Sequence, residues 1–381
     1  MRLQFTSILL GLSLASPVAA QCAGQGQWIG AAPLALARQE CAAARIGGRV
    51  YVAGGLIAGF GETGTVESYD IAANTWRGEP AMPMALHHLG LVAAGGRLWA
   101  VGGFRGGFTP RADVFVFDPG TGMWSSGLSL PQPRGAHWAV AHQNKIYCFG
   151  GVVTGAGAGT TSSAIVLDLS AATPTWASIA PMPTAREHLS AVAVGAYIYV
   201  IGGRAGGSFS SFERYHPASN TWLGQPALPA MPTARAAPGV AAIGPRIYVA
   251  GGETPQLFSV HEVFDIRTNR WSCATSMPLP RHGIGAEVIG PGPGVGGPAA
   301  RILFPAGGTV QGLQPTAAAD VFAPLAVCVG DYNGDGSATV QDIFDYLAAY
   351  FGQAPGADTD VSGSIAVQDL FDFLTAYFAG C

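Results

Sequence analysis

The sequence predicts an all-β propeller of six four-stranded blades, followed by a small all-α domain. Three observations predict this organisation. Glycine doublets recur six times, with spacings of 48, 48, 52, 49 and 56 residues, a period that suits one small antiparallel sheet per repeat. Most doublets directly follow a short apolar run, and after Ala326 the composition changes to a duplicated Asp- and Gly-rich pattern. The doublets are Gly54-Gly55, Gly102-Gly103, Gly150-Gly151, Gly202-Gly203, Gly251-Gly252 and Gly307-Gly308.

The first 20 residues have the pattern of an export signal. Arg2 precedes an apolar stretch at 8–14, and Val18-Ala19-Ala20 offers a small-residue cleavage site before Gln21. The apolar stretch is too short for an ordinary spanning helix, and no later run approaches that length. We therefore expect residues 1–20 to be removed, leaving a secreted, periplasmic or cell-surface protein with no transmembrane segment.

Composition limits the partners of the mature chain. The net charge is −4 and only 11% of the residues are charged, so no basic surface for nucleic acid is indicated. Glycine is abundant, at 55 residues, as expected where many short strands need tight turns.

Each repeat contains the same markers in the same order. Apolar runs such as 50–53 and 98–101 predict strands buried on both faces. A second strand follows and ends at an aspartate, as at Asp70, Asp118 and Asp265. After a turn comes a tryptophan, at Trp76, Trp124, Trp176, Trp222 and Trp271, and then an arginine, at Arg38, Arg134, Arg186, Arg235 and Arg281, with Leu86 in the remaining slot.

The ends of the repeat array are mismatched. The sixth repeat has a strand at 319–322 but no tryptophan after it, whereas Trp28 opens the chain without a preceding strand. We expect the strand near Trp28 to complete the last blade, because this pairing removes two open sheet edges.

This order of glycine doublet, strand-ending aspartate, tryptophan and arginine resembles the kelch repeat, over roughly residues 27–325. The resemblance implies a six-bladed kelch β-propeller, here assigned to 21–326. It also implies that the strand after each arginine lines a central channel. The candidate ligand-binding residues at its mouth are Arg38, Arg134, Arg186, His188, Arg235 and Arg281.

Three interpretations of this mouth remain open. Guanidinium groups suit carboxylates, so the arginines could bind an anion such as a sugar acid; alternatively they hydrogen-bond carbonyls within and between blades. The nearby histidines could bind a metal, but their offsets from the arginine vary between one and three residues. These histidines are His88, His137, His188 and His282.

Two enzyme groups with kelch propellers provide further comparisons. The copper oxidases need a cross-linked Tyr-Cys pair and a set of histidine ligands that this sequence does not offer. The six-bladed mutarotases of sialic acid need acid-base groups near an arginine, and Arg186-Glu187-His188 is the one place where arginine, carboxylate and imidazole are consecutive. The alternation of a strand would place Glu187 opposite its neighbours, which weakens that triplet as one site.

The C-terminal region contains two twelve-residue loops with oxygen side chains at alternating positions. Gly336 and Gly363 occupy position 6, where a calcium loop turns sharply. We expect two Ca²⁺ sites, the second weaker because Ala366 replaces a donor at position 9. The expected ligands are Asp331, Asn333, Asp335, Ser337, Thr339 and Asp342 in the first loop, and Asp358, Asp360, Ser362, Ser364 and Asp369 in the second.

Each loop leads into a predicted helix, at 341–347 and 368–374. Phe344, Leu347 and Phe351 share one helical face, as do Phe371, Leu374 and Phe378, and these faces are expected to form a small core. The arrangement resembles a dockerin domain over 327–381, of the type that ends in Gly-Cys.

The dockerin resemblance implies a docking receptor, which could be cohesin-like. Both loops carry Val-Gln where cohesin-binding dockerins often carry a Ser-Thr pair, so the nature of the receptor stays open. With the resemblance in place, we favour a disulfide between Cys328 and Cys381, the alternative being a terminal cysteine that serves as an attachment point. The pairing of Cys22, Cys41, Cys148 and Cys273 is left open.

These features favour an exported, non-catalytic binding or scaffold propeller for a glycan or protein, displayed through a calcium-dependent dockerin-like module. The alternative is a carbohydrate-active enzyme, for example a sugar-acid mutarotase, with its site at the propeller mouth. A third hypothesis is a purely structural role in an envelope or matrix. Convergence of Glu187, Glu253, Glu262 or Glu287 with the arginines would favour the enzyme.

Overall fold

The computed structural model describes residues 25–155, 159–224, 227–290, 300–325, 328–335 and 337–380. The predicted signal peptide, Cys22, Gly336, Cys381 and the Gly/Pro-rich insertion at 291–298 lie outside the described residues.

Six four-stranded antiparallel sheets form the blades of a propeller. In each blade the innermost strand pairs with the apolar strand that precedes the glycine doublet. From the innermost strand outward, blade 1 contains Ala42–Ile46, Arg49–Ala53, Val66–Asp70 and Thr75–Glu79. Blade 2 contains Gly90–Ala94, Arg97–Val101, Val114–Asp118 and Met123–Ser126. Blade 3 contains Trp138–His142, Lys145–Phe149, Ala164–Asp168 and Trp176–Ile179. Blade 4 contains Ser190–Val194, Tyr197–Ile201, Phe212–His216 and Thr221–Leu223. Blade 5 contains Gly239–Ile243, Arg246–Ala250, His261–Asp265 and Arg270–Cys273. Blade 6 contains Glu287–Ile289, Arg301–Pro305, Ala319–Ala323 and Gln27–Gly30.

Two short hairpins extend the loops of blades 1 and 2. Leu56–Ile57 pairs with Gly61–Glu62 across the 3₁₀ turn Ala58–Phe60, and Phe104–Arg105 pairs with Thr109–Pro110. Both hairpins follow a glycine doublet.

The ring closes in blade 6 through strands from both ends of the propeller. Gln27–Gly30 pairs with Ala319–Ala323, and Trp28 lies opposite Phe322. This is the closure predicted from the unmatched Trp28. The Trp28 indole packs against His261, Phe304 and Phe322, with ring centroids 5.1 to 5.4 Å apart.

The repeated tryptophans join neighbouring blades. The Trp76 indole N–H donates to the Ala32 carbonyl at 2.7 Å, and that of Trp124 donates to the Pro80 carbonyl at 2.8 Å. Trp28, Trp176, Trp222 and Trp271 make the corresponding bond to a carbonyl 42 or more residues away. The indole ring thus buries apolar surface while its one polar group stays satisfied.

The glycine doublets are required by close backbone approach. Gly102 has φ 55°, and a Cβ there would lie 2.6 Å from the Arg134 carbonyl oxygen. Gly202 repeats this geometry with φ 58° against the Arg235 carbonyl oxygen. A side chain would both strain the backbone and collide with the next blade.

The C-terminal region contains two helices, α1 (Val340–Phe351) and α2 (Val367–Ala379), linked by the 3₁₀ turn Pro355–Ala357. Its core is built from Tyr332, Tyr346, Ala357 and Phe373. The rings of Tyr346 and Phe373 stack with centroids 4.0 Å apart.

The phenylalanines of the predicted core face lie outside the core, although Leu374 of that face does pack against it. Phe344, Phe351, Phe371 and Phe378 are 59 to 78% exposed. The neighbouring face carries Ile343, Tyr346 and Tyr350 on α1, and it is this face that packs inward. Each helix had two overlapping apolar faces, and the stacked Tyr346–Phe373 pair decides which one is buried.

The C-terminal region packs against blades 4 and 5. Arg267 donates to the carbonyls of Cys328 and Asp331 at 3.3 Å, and Val361 joins the apolar cluster of Tyr199 and Phe264. Arg267 lies in the turn after the third strand of blade 5, whereas Asp358 and Gly363 contact Gly195 and Ala196, in the turn that ends the innermost strand of blade 4. Within the described residues, no helix combines the length and apolar character needed to cross a membrane.

Candidate functional site

The central channel is closed at one level by a ring of backbone hydrogen bonds. Each of six residues, one per blade, donates its N–H to the carbonyl of the preceding member, at 2.7 to 3.1 Å. The members are Glu40, His88, Ala136, His188, Ala237 and Gly283. All have φ between 50° and 57°, a conformation that costs free energy for residues other than glycine and that the closed ring holds in place.

Three side chains of this ring meet at its centre. The Glu40 Oε2 atom lies 3.4 Å from His88 Nε2 and 4.0 Å from His188 Nε2. His282, one residue before the ring, places its Nε2 atom 3.4 Å from Glu40 Oε1 and 3.6 Å from Glu253 Oε2. The result is a buried carboxyl group surrounded by three imidazoles.

Hydrogen bonds orient the His88 ring. His87 Nε2 lies 2.6 Å from the Gly107 carbonyl oxygen, an acceptor, so Nε2 of a neutral His87 carries the proton. His87 Nδ1 then accepts from His88 Nδ1 at 2.5 Å. The remaining nitrogen of His88, Nε2, therefore faces Glu40 with a lone pair.

Glu187 orients the His188 ring so that its Nε2 atom, like that of His88, faces Glu40. The Glu187 carboxylate accepts from His188 Nδ1, which leaves His188 Nε2 facing Glu40 with a lone pair. Arg204 Nη2 lies 3.4 and 3.3 Å from the two ring nitrogens. Because a guanidinium can only donate, the contact at 3.3 Å is a long hydrogen bond from Arg204 to His188 Nε2.

Arg204 is itself held by two carboxylates. Its Nε donates to Glu187 Oε1 at 2.6 Å and its Nη1 donates to Glu253 Oε1 at 2.7 Å. The mouth thus places three carboxyl groups, Glu40, Glu187 and Glu253, around one guanidinium.

Burial sets the protonation of the cluster. Desolvation, with help from the nearby Glu253 charge, raises the pKa of Glu40 to about 8. Desolvation and the neighbouring cationic groups hold the pKa values of His88 and His188 well below the usual range. The imidazoles are therefore neutral at pH 7.

The five predicted arginines lie inside the blades. Each is at most 1% exposed: Arg38, Arg134, Arg186, Arg235 and Arg281. Four of them pair with a carboxylate of their own blade at 2.5 to 2.7 Å, as Arg186 does with Glu213 and Arg235 with Glu262. Arg134 instead donates to Ser163 Oγ at 3.1 Å. These contacts match the alternative interpretation, in which the arginines bond within the blades; of the predicted ligand set, His188 is at the central cluster.

Sequence reasoning identified His88, His188 and His282 but not Glu40 or Arg204. The useful signal was the position two residues after the arginine slot, which holds Glu40, His88 and His188 in three repeats. Of the carboxylates proposed as a test of the enzyme hypothesis, Glu187 and Glu253 converge with an arginine at the mouth. Glu262 belongs to a blade-internal pair, and Glu287 lines the channel beyond the ring.

One cavity adjoins the ring and a second lies further along the channel. One of about 50 Å³ is lined by Glu40, His88 and His188 with mostly apolar neighbours. The other, about 590 Å³, lies further along the channel between the innermost strands and is lined mainly by alanine and valine, with Arg45 and Glu287. The small cavity exceeds the roughly 10–15 Å³ that one water needs.

The first predicted calcium loop is folded around its own carboxylates. Asp331 Oδ1 accepts from the N–H groups of Gly334 and Asp335 at 2.9 and 3.0 Å. Asp342 accepts from the N–H groups of Asn333 and Thr339 at 3.0 and 2.7 Å, which also caps α1. Thr339 Oγ1 donates to Asp342 at 3.1 Å.

In the second loop the carboxylates converge. Oxygens of Asp358, Asp360 and Asp369 lie within 4.8 Å of one another. Burial, together with Asp360 and Asp369, raises the pKa of Asp358 to about 6. Ser362 and Ser364 lie at the loop surface, with their hydroxyl oxygens 3.4 Å apart. Carboxylate oxygens clustered in this way fit a hard cation such as Ca²⁺.

The described cysteines fall into two groups. Cys41 and Cys148 are free and buried, and desolvation raises the pKa of the Cys41 thiol to about 11. Cys273 and Cys328 each have a partner and are not free thiols. The pairing of Cys328 with Cys381 stays a prediction, because Cys381 lies outside the described residues.

Comparison with protein families now identifies the repeats. Residues 37–83 and 85–130 match the Kelch motif, and residues 127–291 match the KLHDC2/KLHL20/DRC7 Kelch-repeats domain. The propeller is built from kelch repeats. The repeat order predicted from glycine, tryptophan and arginine is thereby confirmed for this part of the chain.

A solved structure titled "Structure of YjhT" has a similar fold. Its TM-score is 0.63 at 16% sequence identity, over 76% of this chain and 95% of that chain. At this identity the similarity concerns the six-bladed fold alone. No curated protein sequence shows a significant match to this chain.

Proposed function

We propose that this protein is an exported binding propeller, displayed through a C-terminal calcium-ordered docking module. The propeller would bind a glycan or a protein, and the module would bind a surface receptor. One observation carries the proposal: the two C-terminal helices expose the same apolar triad. Val340, Phe344 and Phe351 on α1 correspond in spacing to Val367, Phe371 and Phe378 on α2.

These six side chains are 59 to 78% exposed. Large exposed apolar groups in a contiguous row mark interaction surfaces, because solvent exposure of such area is unfavourable. Their repetition on both helices favours a binding role over chance. The partner we propose is a protein receptor with an apolar contact surface, of which a cohesin-like module is one form.

Calcium would order the two loops that begin these helices. Asp331 and Asp342 in the first loop, and Asp358, Asp360 and Asp369 in the second, supply carboxylates at loop positions that suit Ca²⁺. The small core of the module makes such support useful, because about 55 residues bury little apolar surface on their own. A disulfide between Cys328 and Cys381 would add to it.

The test begins with calorimetric calcium titration of the full mature chain. We expect two bound ions, and one in each of the variants Asp331→Ala and Asp369→Ala, since each removes a carboxylate from one loop. Retention of the protein on envelope fractions of the producing cells should then depend on calcium and fall in the double variant Phe344→Ser/Phe371→Ser.

The control for retention is Met123→Ser, which removes an exposed apolar side chain from blade 2 of the propeller. It should bind the envelope fraction like the unaltered protein. Absence of calcium uptake would overturn the calcium module. Equal retention of the double variant and the control would overturn docking through the helices.

A second candidate function, a carbohydrate-active enzyme at the propeller mouth, is favoured by the convergence of Glu187 and Glu253 near three imidazoles. The same geometry argues against a sugar-acid substrate. Arg204 is already paired with both carboxylates, and the five predicted arginines are buried. We therefore place this enzyme hypothesis second.

A further inference from the structure

We propose that Glu40, His88 and His188 bind one divalent transition-metal ion at the centre of the propeller. The ligand atoms of these three residues lie within 4.8 Å of one another. The inference does not rest on the calcium module, because the two regions lie at opposite ends of the innermost strands. His188 precedes the strand Ser190–Val194, whereas the second calcium loop contacts the turn that follows it.

The direction of the lone pairs is the main argument. Nε2 of His88 and Nε2 of His188 both face Glu40 without a proton of their own, because their Nδ1 atoms donate to His87 and Glu187. Two imidazole nitrogens and a carboxylate thus face one volume, and metal binding would replace the long contact of 3.3 Å between Arg204 Nη2 and His188 Nε2. A proton shared between Glu40 and one imidazole would form a single hydrogen bond, whereas a metal ion would bind the carboxylate and both nitrogens.

The spacing fits a metal. Two ligands that are each about 2.0–2.1 Å from a tetrahedral ion lie roughly 3.3–3.4 Å apart. Glu40 Oε2 and His88 Nε2 are 3.4 Å apart. His188 Nε2, at 4.0 Å from the same oxygen, would need a small side-chain adjustment.

The charge of the surrounding residues and the hydrogen bonds made by the ligand side chains also favour a cation. Glu187 and Glu253 add two carboxylates to the mouth, against the single guanidinium of Arg204. Glu187 accepts a hydrogen bond from His188 Nδ1. Hydrogen bonds of this kind to the second ring nitrogen orient metal-binding imidazoles. Imidazole with carboxylate suits Zn²⁺ and related ions better than Ca²⁺.

Three protein ligands leave a coordination position open, as in catalytic rather than structural zinc sites. Here that position would face the cavity of about 50 Å³ that the same three residues line. The metal would therefore hold a water or a small anionic ligand at the closed level of the channel.

The full mature protein is first stripped of metals and then supplied with excess Ca²⁺, which fills the C-terminal loops. Zinc binding is measured by titration with Zn²⁺ in competition with a chelator. Cobalt binding is measured by titration with Co²⁺ followed by visible absorption. We expect one Zn²⁺ per chain and cobalt bands typical of a four- or five-coordinate nitrogen/oxygen site. Glu40→Gln and His188→Ala should weaken zinc binding by more than about 100-fold, and Glu187→Gln by about 10–100-fold.

His216→Ala, which removes a histidine on the outer part of blade 4, is the matched control and should bind zinc like the unaltered chain. If His188→Ala does not fold, His188→Gln takes its place, and the cobalt spectrum of the unaltered protein tests the site independently. No zinc uptake, or equal uptake by Glu40→Gln and His216→Ala, would overturn the proposal and leave calcium binding untouched.

Discussion

Buried ion pairs hold the arginines of the blades. Arg235 is fully buried, pairs with Glu262 at 2.5 Å and donates to the Val249 carbonyl at 2.9 Å. Such pairs add little net stability compared with apolar side chains, but removing one partner leaves a buried charge unpaired. The arginines therefore act in the stability of the five blades that contain them.

Replacing Arg235 by methionine should lower the free energy of unfolding by roughly 3–5 kcal/mol, because Glu262 stays buried without its cation. Urea unfolding followed by tryptophan fluorescence measures this. Arg97→Met is the control, since the Arg97–Asp118 pair at 3.4 Å is largely exposed and should contribute nothing measurable. Equal stability of the two variants would contradict the prediction.

His261 gives the propeller a specific pH dependence. It is 1% exposed, and desolvation lowers its pKa to about 3. In the unfolded chain its pKa is about 6.5, so below that pH the unfolded state binds a proton that the folded state does not. Stability is therefore lost as the pH falls from about 6.5 towards 3.

The variant His261→Phe should lose this part of the pH dependence. The ring sits among Trp28, Phe304 and Phe322, and the Thr275 carbonyl keeps the Trp28 indole as a donor. Between pH 6.5 and 5 the stability difference between variant and parent should shift in favour of the variant by up to about 1.4 kcal/mol per pH unit. A pH-independent difference in denaturant unfolding would show that His261 is not the group responsible.

At the scale of elements, the closing strand has a special position in the ring. Gln27–Gly30 is the outer strand of blade 6, and its inward contacts depend on one side chain, Trp28. Ile29 on the same strand is 46% exposed. The strand is therefore held in the blade by the packing of Trp28 and by its backbone hydrogen bonds to Ala319–Ala323.

Trp28→Ala should reduce the free energy of unfolding by about 3 kcal/mol, through lost burial of the indole and loss of its hydrogen bond to the Thr275 carbonyl. Hydrogen exchange should also become faster at the amides of Ala319–Ala323, the strand that Gln27–Gly30 covers. Ile29→Ala serves as the control and should change neither quantity appreciably. Unchanged exchange in Trp28→Ala would mean that the backbone ladder alone closes the ring.

For the whole molecule, the fold separates two candidate sites. The Glu40 cluster lies where the innermost strands begin, and the second predicted calcium loop contacts the turn after one of them. Arg267 and Val361 fasten the C-terminal region to blades 4 and 5. Because Val340, Phe344, Val367 and Phe371 stay exposed in this arrangement, docking and binding in the channel would use different surfaces.

Much of the propeller was predictable, because its determinants are local and repeated. The doublets mark backbone positions that only glycine occupies easily, the apolar runs mark strands buried on both faces, and the unmatched Trp28 indicated the closing strand. The acidic loops and the helices after them were also visible, since the spacing of donors within twelve residues needs no tertiary information.

Tertiary structure decided the rest. Glu40, His88 and His188 are 48 and 100 residues apart in the chain, and they meet because ring closure places equivalent positions of different blades side by side. The arginines are buried because each finds hydrogen-bond partners within the blades, a carboxylate in four cases and Ser163 for Arg134. The exposure of Phe344 and Phe371 followed from competition between two apolar faces on each helix. Sequence alone thus determined the repeating local structure, whereas convergence of distant side chains and the choice between equivalent faces depend on packing, which only the assembled molecule specifies.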